Sequence, residues 1–412
     1  MKQKHISLLT AAVMLASMTA CGADTPAQKP GAVLAAEITP KAADELFCEQ
    51  QAAFALDLFR RVNETKNDEN TMVSPYSVMQ ALTMTANGAA GDTRREMEQV
   101  LGGNIPLETL DQYLYAWRTE QPHTKQCKLE TANAIWMNQN SFDVKPDFLK
   151  INREWFDADS FKAPFDQSTV GDINNWVKKH TDGMIEKVLD SLSPQARMVL
   201  VNAVCFDAKW KEKYEKDDIK EREFLNADGT TTSVDMMFSN ENAYLEMDGA
   251  EGFLRYYDGP YAFAGILPPE DMTVDQYLAK LDGKTLYKAL TGVQETEVRA
   301  GIPPFKFDTD AELVGILSEM GMPTAMTPAA DFSGIADDPD LHIGEVIHKT
   351  HVDVDAEGTK AAAVTAVTLR DNAIFVEEMP KIVILNRPFI FMIVDMNTHL
   401  PVFIGTVKNL SA

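Results

Sequence analysis

The sequence predicts one large domain in which helices and β-strands are mixed. In the first half of the 412-residue chain, apolar residues mostly recur at helical spacing, whereas the second half is rich in the alternating or continuous apolar runs of strands. Beyond residue 40 there is no internal repeat and no break of linker-like composition. We therefore expect one domain over residues 41–412, although the length alone would suggest two or three.

Four helices are predicted in the first half. Apolar stripes indicate helices over residues 45–63, 77–87 and 170–180. Thr93 is expected to be the N-cap of a further helix, because Met97 and Leu101 follow it at helical spacing.

Strands are predicted mainly in the second half, with two earlier strands over residues 129–137 and 198–206. The run 198–206 is almost continuously apolar, which is typical of a strand buried on both faces. A turn at Asn397 and Thr398 favours a hairpin between the last two strands. The further predicted strands are 262–267, 297–302, 347–354, 382–385, 389–394 and 402–407.

The N-terminus has the features of a bacterial signal peptide. A basic start precedes the apolar stretch 6–20, which is too short to span a bilayer comfortably. Small residues directly before Cys21 resemble a lipoprotein box, and ordinary secretion with an incidental cysteine is the alternative. We expect a signal peptide at 1–20, lipidation of Cys21, and a flexible tether at 21–40. Gly22 is not the Asp that retains many lipoproteins at the inner membrane, so an anchor in the cell envelope at the outer membrane is expected.

The remaining cysteines are too few for a disulfide scaffold. Cys205 lies in an apolar run and is expected to be a buried thiol. Whether Cys48 and Cys127 form a pair is left open.

Charge and motifs exclude several classes of function. The chain has 38 basic and 62 acidic residues, and this balance argues against a nucleic-acid partner. No metal-ligand spacing, phosphate loop or nucleophile elbow occurs in the sequence. His348 and His351 are three residues apart in a predicted strand and should therefore lie on opposite faces. We expect neither an enzyme nor a metal or cofactor site.

Residues 356–378 fit neither a helix nor a clean strand, although they lie between two strong strands. A loop of this length in a compact domain is usually functional or disordered.

A series of motifs in collinear order over about residues 46–409 resembles the serpin family. The resemblance implies an α+β domain of about nine helices and three β-sheets, with an exposed reactive-centre loop at about 356–380. Most serpins trap a protease that attacks this loop, which then inserts as a new strand into the large sheet. The motifs include Asn70-Thr-Met-Val-Ser74-Pro75-Tyr-Ser77, Asn87-Gly88-Ala89-Ala90-Gly91, Ile173-Asn174-Asn-Trp176-Val177, Leu200-Val201-Asn202-Ala203, Ala330-Asp331-Phe332-Ser333-Gly334, Glu357-Gly358-Thr359 and Asn386-Arg387-Pro388-Phe389.

The resemblance places the hinge of this loop at small residues. Side chains two apart share one face of a strand, and every inward position here is small and uncharged. Gly358 supplies backbone freedom at the pivot, and Thr359 is expected to be the first side chain to enter the sheet. The hinge residues are Gly358, Thr359, Ala361, Ala362, Ala363 and Thr365.

Two counts disagree on the scissile bond. Counting fourteen residues on from Gly358 gives Asn372–Ala373, which we prefer because the sheet sets the length of the inserted strand. Counting back from Asn386 gives Glu377–Glu378 instead. Arg370–Asp371 would suit a trypsin-like protease, whereas the apolar neighbourhood favours an elastase-like one.

Ser74, Ser77, Asn202 and His348 match a buried polar cluster of the family, located where the central strands part. Capping of a helix is the alternative role for the two serines, and both roles are compatible. Hydrogen-bonded buried groups favour one arrangement over another, which suits a switch.

Some positions depart from the family's pattern. An ion pair that serpins often have near the hinge is missing, because Ala356 and Pro304 occupy its two positions. Losing both charges leaves neither buried alone, and we expect easier opening of the sheet. Asp207-Ala208 also replaces the usual Lys-Gly before Trp210.

The sequence therefore predicts a monomeric, lipid-anchored suicide inhibitor of extracellular serine, and also cysteine, endopeptidases. The alternatives are a non-inhibitory serpin-fold binding protein at the cell surface and, more distantly, a hydrolase of the cell envelope.

Overall fold

The computed structural model describes residues 39–103, 105–122, 124–140, 143–193, 196–359 and 379–411. The predicted signal peptide and Cys21 lie outside these ranges. The same is true of the hinge residues Ala361, Ala362, Ala363 and Thr365 and of every candidate scissile bond, namely Arg370–Asp371, Asn372–Ala373 and Glu377–Glu378.

Nine α-helices occur within these ranges, and most lie in the first half as predicted. Side-chain caps begin five of them. At the first two, Asp44 accepts a hydrogen bond from Phe47 N at 3.0 Å, and Ser74 caps the helix that starts with Pro75. The helices are α1 (Glu45–Thr65), α2 (Pro75–Ala86), α3 (Gly91–Gly102), α4 (Leu107–Thr119), α5 (Pro146–Phe156), α6 (Gln167–His180), α7 (Val274–Leu278), α8 (Gly283–Thr291) and α9 (Val314–Met320).

Thr93 is not the N-cap predicted from the sequence. α3 begins two residues earlier at Gly91, after Ala90. The Thr93 hydroxyl is buried and accepts a hydrogen bond from Asp331 N at 2.9 Å. A contact with a distant segment of the chain therefore uses the oxygen that would otherwise cap the helix.

One of two six-stranded sheets contains the candidate site described below and is here called the main sheet. Between its two central long strands lies a short strand, of which the described residues are Gly358–Thr359. In spatial order the strands are β11 (Phe305–Glu312), β12 (Ile347–Val354), β13 (Gly358–Thr359), β4 (Met198–Lys209), β2 (Cys127–Asn138) and β3 (Asp159–Ala163).

Two further sheets complete the fold. The second sheet contains β1 (Thr71–Val73), β16 (Leu400–Val407), β15 (Phe389–Asp395), β9 (Tyr261–Leu267), β8 (Ala250–Tyr256) and β7 (Tyr244–Met247). The third contains β14 (Lys381–Ile384), β10 (Val298–Ile302), β6 (Thr231–Glu241) and β5 (Ile219–Leu225).

The core surrounds the second sheet. Every residue of β15 and β16 is buried, and α1 and α2 pack against β16. Burial on both faces explains why these strands are continuous apolar runs in the sequence. The strand β5 was not predicted, because four consecutive residues of it are exposed and charged, so that it lacks an apolar alternation.

The predicted α+β class, with about nine helices and three sheets, is confirmed. The predicted hairpin near Asn397 joins β15 and β16. His348 and His351 lie on opposite faces of β12: His348 is buried, whereas His351 contacts Asp308 near the surface.

Cys48, Cys127 and Cys205 are buried free thiols, so the described residues contain no disulfide between Cys48 and Cys127. No helix in the described ranges has the length and apolar character needed to cross a membrane.

Candidate functional site at the opening of the main sheet

The two-residue strand β13 marks the place where the main sheet opens. Thr359 pairs with Val354 of β12 on one side and with Ala208 of β4 on the other, and Gly358 pairs with Lys209. Throughout the described residues, β4 and β12 form no ladder with each other. The hinge residue Thr359 therefore already lies inside the sheet of the uncut protein, before any longer insertion of the loop. It does so because the turn before it is held by the contacts described below.

Gly358 is required by a close approach of two backbones. A Cβ atom at this position would lie 2.2 Å from the carbonyl oxygen of Ala208 and 2.8 Å from Cα of Lys209. Any side chain here would push β13 away from β4. The structure thus assigns the hinge glycine a steric role in addition to the flexibility expected from the sequence.

Thr359 is held by Tyr257, which is itself packed against Trp210. Its hydroxyl forms a hydrogen bond of 2.7 Å with the hydroxyl of Tyr257, and the Tyr257 ring stacks on Trp210 with centroids 4.5 Å apart. Burial raises the pKa of Tyr257 well above its ordinary value, so the phenol stays protonated. Thr359 is only 4% exposed, and a larger or charged side chain has no room here.

The hinge turn, residues 355–358, is closed by its own hydrogen bonds and by those of its neighbours. The Asp355 carboxylate accepts from the backbone N–H of Glu357 at 2.8 Å and of Gly358 at 3.2 Å. Trp210 Nε1 donates to the Asp355 carbonyl at 2.8 Å, and Trp210 N donates to the Glu357 carbonyl at 3.1 Å. The turn therefore has a defined geometry at the point where the chain reverses from β12 into β13.

The predicted polar cluster assembles beneath the same strands. Ser74 N donates to His348 Nε2 at 2.9 Å, and Ser74 Oγ donates to the Val402 carbonyl at 2.8 Å while accepting from Ser77 N at 3.2 Å. Ser74 thus both caps α2 and binds β12, so the two alternative roles coexist in this serine.

The other half of the cluster binds β4. Ser77 Oγ donates to Asn202 Oδ1, and Asn202 Nδ2 donates to Asn133 Oδ1 at 2.6 Å. Asn133 Nδ2 continues the network to the Phe156 carbonyl at 2.8 Å. The cluster therefore links α2 to β12 on one side of the opening and to β4 and β2 on the other.

His348 is neutral in this network. Its Nε2 accepts a hydrogen bond, which assigns the ring proton to Nδ1, and burial lowers its pKa to about 4. A protonated ring would direct an N–H at the Ser74 N–H, and the contact between β12 and α2 would be lost.

A cavity of about 780 Å³ lies between the other ends of β4 and β12. Its walls include Ser77, Asn202 and His348 of the polar cluster, and apolar side chains such as Leu82 and Leu189 form much of the remainder. The two long strands are therefore separated by β13 at one end and by this cavity at the other.

Two participants in the site were not assigned a role from the sequence. Asn133 lies in the predicted strand 129–137 on the same alternation as Leu129, Ile135 and Met137, and a polar residue on that face was the available signal. Tyr257 had no signal of its own, because its role depends on a contact with Thr359 more than one hundred residues away. Within the described ranges, no group of three or more His, Cys, Asp or Glu side chains is placed to hold a metal ion.

Comparisons with known proteins agree with this geometry. The model of the family described as serpin (serine protease inhibitor) matches residues 49–410. A serpin-like protein of Thermococcus kodakarensis is 31% identical, over 87% of this chain and 84% of that protein. The crystal structure of the thermophilic serpin tengpin in its native state is 43% identical, covers 92% of this chain and 98% of its own, and superposes with a TM-score of 0.85.

The arrangement of the helices and the three sheets, together with the opening in the main sheet, defines a serpin fold. The match to the family model shows to which family the chain belongs. The chain belongs to the serpin family, whose members are generally protease inhibitors. The human thyroxine-binding globulin, crystallised with thyroxine, is also similar, with 26% identity over 89% of this chain and all of its own, at a TM-score of 0.79.

Proposed function

We propose that this chain is a suicide inhibitor of extracellular serine endopeptidases, and also of cysteine endopeptidases. The observation that carries the proposal is β13, because Gly358 and Thr359 already occupy the first positions of a strand between β4 and β12. The expected targets are elastase-like or trypsin-like enzymes, according to which bond between residues 370 and 378 is cut.

The chemistry belongs to the protease. Its serine hydroxyl or cysteine thiol attacks the carbonyl carbon of the scissile bond, and the amide nitrogen takes a proton and leaves as an amine. The inhibitor remains joined to the protease through an ester or thioester. A protease that is displaced and distorted before water attacks this bond stays trapped.

Insertion of the cut loop supplies the displacement. In a strand that continued from Thr359, alternation would turn Ala361, Ala363 and Thr365 inward, and all three are small enough to enter the sheet beside β4 and β12. Fourteen residues in a strand of about 3.3 Å per residue reach roughly 46 Å, which moves a tethered protease along most of the domain.

A gel experiment tests the proposal. The protein is mixed with an elastase-like and a trypsin-like protease, and we expect a complex that survives boiling in detergent. A protease whose nucleophile has been blocked should give no complex. Cleavage of the loop by both proteases without any complex would contradict inhibition.

The released C-terminal peptide identifies the scissile bond. Mass spectrometry should find a peptide that starts at Ala373 if the hinge count is right. A start at Glu378 would support the count back from Asn386, and a start at Asp371 would indicate the trypsin-like alternative.

A second candidate is a non-inhibitory binding protein. The likeness to thyroxine-binding globulin and the 780 Å³ cavity with its apolar walls favour this alternative. For such a binding protein, the same gel should show no complex with the protease, whether or not the loop is cleaved.

We also propose that Cys21 carries a lipid that anchors the protein in the cell envelope, at the outer membrane. The basic start, the apolar stretch and the small residues before Cys21 support this proposal. Labelled fatty acid should be incorporated by the wild type and not by a Cys21→Ala variant. Equal labelling of both would contradict lipidation at this residue.

A further inference from the structure

A buried arginine joins three segments of the chain next to the hinge turn. Arg255 lies on β8, and its Nη1 donates to Glu241 Oε1 of β6 at 2.5 Å. Its Nη2 donates to the carbonyl of Glu212, in the segment that follows β4. The side chains of Arg255 and Glu241 are only 6% and 11% exposed, so each charge depends on the other for compensation.

The guanidinium also packs on two aromatic rings. Its central carbon lies 3.9 Å from the centroid of the Tyr214 ring and 5.1 Å from that of Trp210. Both distances are within the range of cation–π attraction, which is strongest where water is excluded. The planar guanidinium fits between such rings, whereas a lysine ammonium does not stack in this way.

The same two aromatic residues hold the hinge turn. Trp210 binds the carbonyls of Asp355 and Glu357, and Tyr214 N donates to the carbonyl of Ala356 at 3.3 Å. Three successive carbonyls of the turn therefore depend on the two residues that Arg255 contacts. Arg255 can therefore act on the hinge turn through Trp210 and Tyr214 without touching the turn itself.

The placement of this turn sets the register of any strand that continues from β13. Successive side chains of a strand alternate between faces, so a slip of one residue exchanges the two faces completely. If a strand continued in the register of Gly358 and Thr359, alternation would place Ala361 and Ala363 on the same face as Thr359. A slip would turn Lys360 inward and would bury a charge in the sheet.

We propose that Arg255 is a positioning residue for loop insertion. Through its ion pair with Glu241 and its contacts with Tyr214 and Trp210, it keeps the hinge turn in the register that directs only small residues inward. This inference rests on the proposed inhibitory function. The pair formed by Arg255 and Glu241 is a buried ion pair near the hinge. This chain has it although Ala356 and Pro304 occupy the two positions where related proteins often have such a pair.

The test compares Arg255→Met with Arg255→Lys and with a matched control. Arg118→Met is the control, because Arg118 also lies over a tyrosine ring, that of Tyr115, and donates to a backbone carbonyl, but on α4. The quantity measured is the number of inhibitor molecules consumed for each protease molecule trapped. We expect a several-fold increase for Arg255→Met, a smaller one for Arg255→Lys, and no change for Arg118→Met.

A double variant separates positioning from stability. Arg255→Met leaves the Glu241 carboxylate buried without its partner, whereas Arg255→Met with Glu241→Gln does not. The double variant should recover thermal stability relative to the single variant and still consume several inhibitor molecules for each protease trapped. Recovery of both quantities together would overturn the positioning role, and so would an equal increase in the Arg118→Met control.

Hydrogen exchange of the uncut protein tests the role of Arg255 without any protease. Peptides that contain residues 355–359 should exchange faster in Arg255→Met than in the wild type or in Arg118→Met. If the wild type traps no protease, the proposed function fails, and the hydrogen-exchange measurement alone then decides whether Arg255 positions the turn. Unchanged exchange would overturn the positioning role.

Discussion

At the scale of single residues, two buried ionisable groups respond to pH in opposite directions. His348 is kept neutral by burial, and Asp111 on α4 is kept protonated over part of the ordinary pH range. Each has one hydrogen-bond contact that its protonation state affects, with Ser74 and Asn87 respectively. Single substitutions can therefore separate their contributions to stability.

Protonation of His348 should destabilise the protein in mild acid. The pKa of its imidazole is about 4 in the folded protein, whereas the unfolded chain has the ordinary value of 6.5. Between these values only the unfolded chain binds the proton, so the free energy of unfolding falls as the pH falls, by about 3 kcal/mol in total.

Urea unfolding at pH 7 and pH 5 tests this prediction. His348→Gln can still accept a hydrogen bond from Ser74 N but does not titrate, so its stability should depend less on pH than that of the wild type. The same pH dependence in both proteins would contradict a neutral buried His348.

Asp111 should have the opposite effect. Burial raises its pKa from 3.8 to about 7, despite the hydrogen bond of 3.1 Å that it accepts from Asn87 Nδ2. Between these values the folded protein binds the proton and the unfolded chain does not, so stability falls as the pH rises. Asp111→Asn should therefore be more stable than the wild type at pH 8 and should lose this dependence.

Glu108→Gln is a suitable control on the same helix. The hydrogen bond from Arg94 lowers the pKa of Glu108, so this group favours folding above its ordinary pKa, but its charge also contributes to the raised pKa of Asp111. Any gain in stability at pH 8 from Glu108→Gln should therefore be smaller than the gain from Asp111→Asn, and no gain from Asp111→Asn would contradict the assignment.

At the scale of elements, β13 connects the local sequence to the behaviour of the whole sheet. Its two described residues lie between two long strands, β12 of eight residues and β4 of twelve. Its position depends on a glycine that touches the neighbouring backbone and on a threonine that is hydrogen-bonded to Tyr257. Changes at Thr359 should therefore affect the uncut protein as well as insertion.

Thr359→Arg should convert the protein from an inhibitor into a substrate. The arginine would carry a charge into a buried site and remove the hydrogen bond to Tyr257, so β13 should leave the sheet. The ratio of trapped complex to cleaved protein, measured on a denaturing gel, should fall by at least about tenfold, which corresponds to about 1.4 kcal/mol.

Thr359→Ser is the matched variant, since it keeps the hydroxyl that faces Tyr257, and its ratio should remain close to that of the wild type. Full yield of complex from Thr359→Arg would show that Thr359 is not part of the hinge.

At the scale of the whole molecule, the main sheet offers more pairing between β4 and β12 than the described residues use. β4 and β12 each offer ladder groups to a strand between them, and in the described residues only Gly358 and Thr359 use them. A longer inserted strand would add hydrogen bonds to both neighbours and bury more side chains. The protein with a cut loop should therefore be more stable than the intact protein.

Scanning calorimetry tests this prediction. The loop is cut with a protease that the protein does not trap, and we expect a Tm at least about 10 °C above that of the intact protein, because several kcal/mol of added stability shift Tm by a few degrees per kcal/mol. The intact protein carried through the same incubation without protease is the control. An unchanged or lower Tm would argue against insertion in this chain.

The sequence alone determined the main elements and many residues of the candidate site. Periodicity and apolar runs indicated α1, α2, α6, β4 and β15, because these elements bury one stripe or both faces and burial leaves a local pattern. The family resemblance indicated Gly358, Thr359 and the four members of the polar cluster. These features are local, or belong to motifs that can be read as short segments.

Only the tertiary structure decided how these parts work together. It showed that Thr359 already lies between β12 and β4, that Thr93 binds Asp331 instead of capping α3, and that Arg255 is buried beside Trp210 and Tyr214. Each of these facts depends on groups brought together from distant parts of the chain, such as Trp210 and Asp355, which are 145 residues apart. No local pattern encodes such a contact, because the free energy that favours it arises only when the sheets and helices are packed.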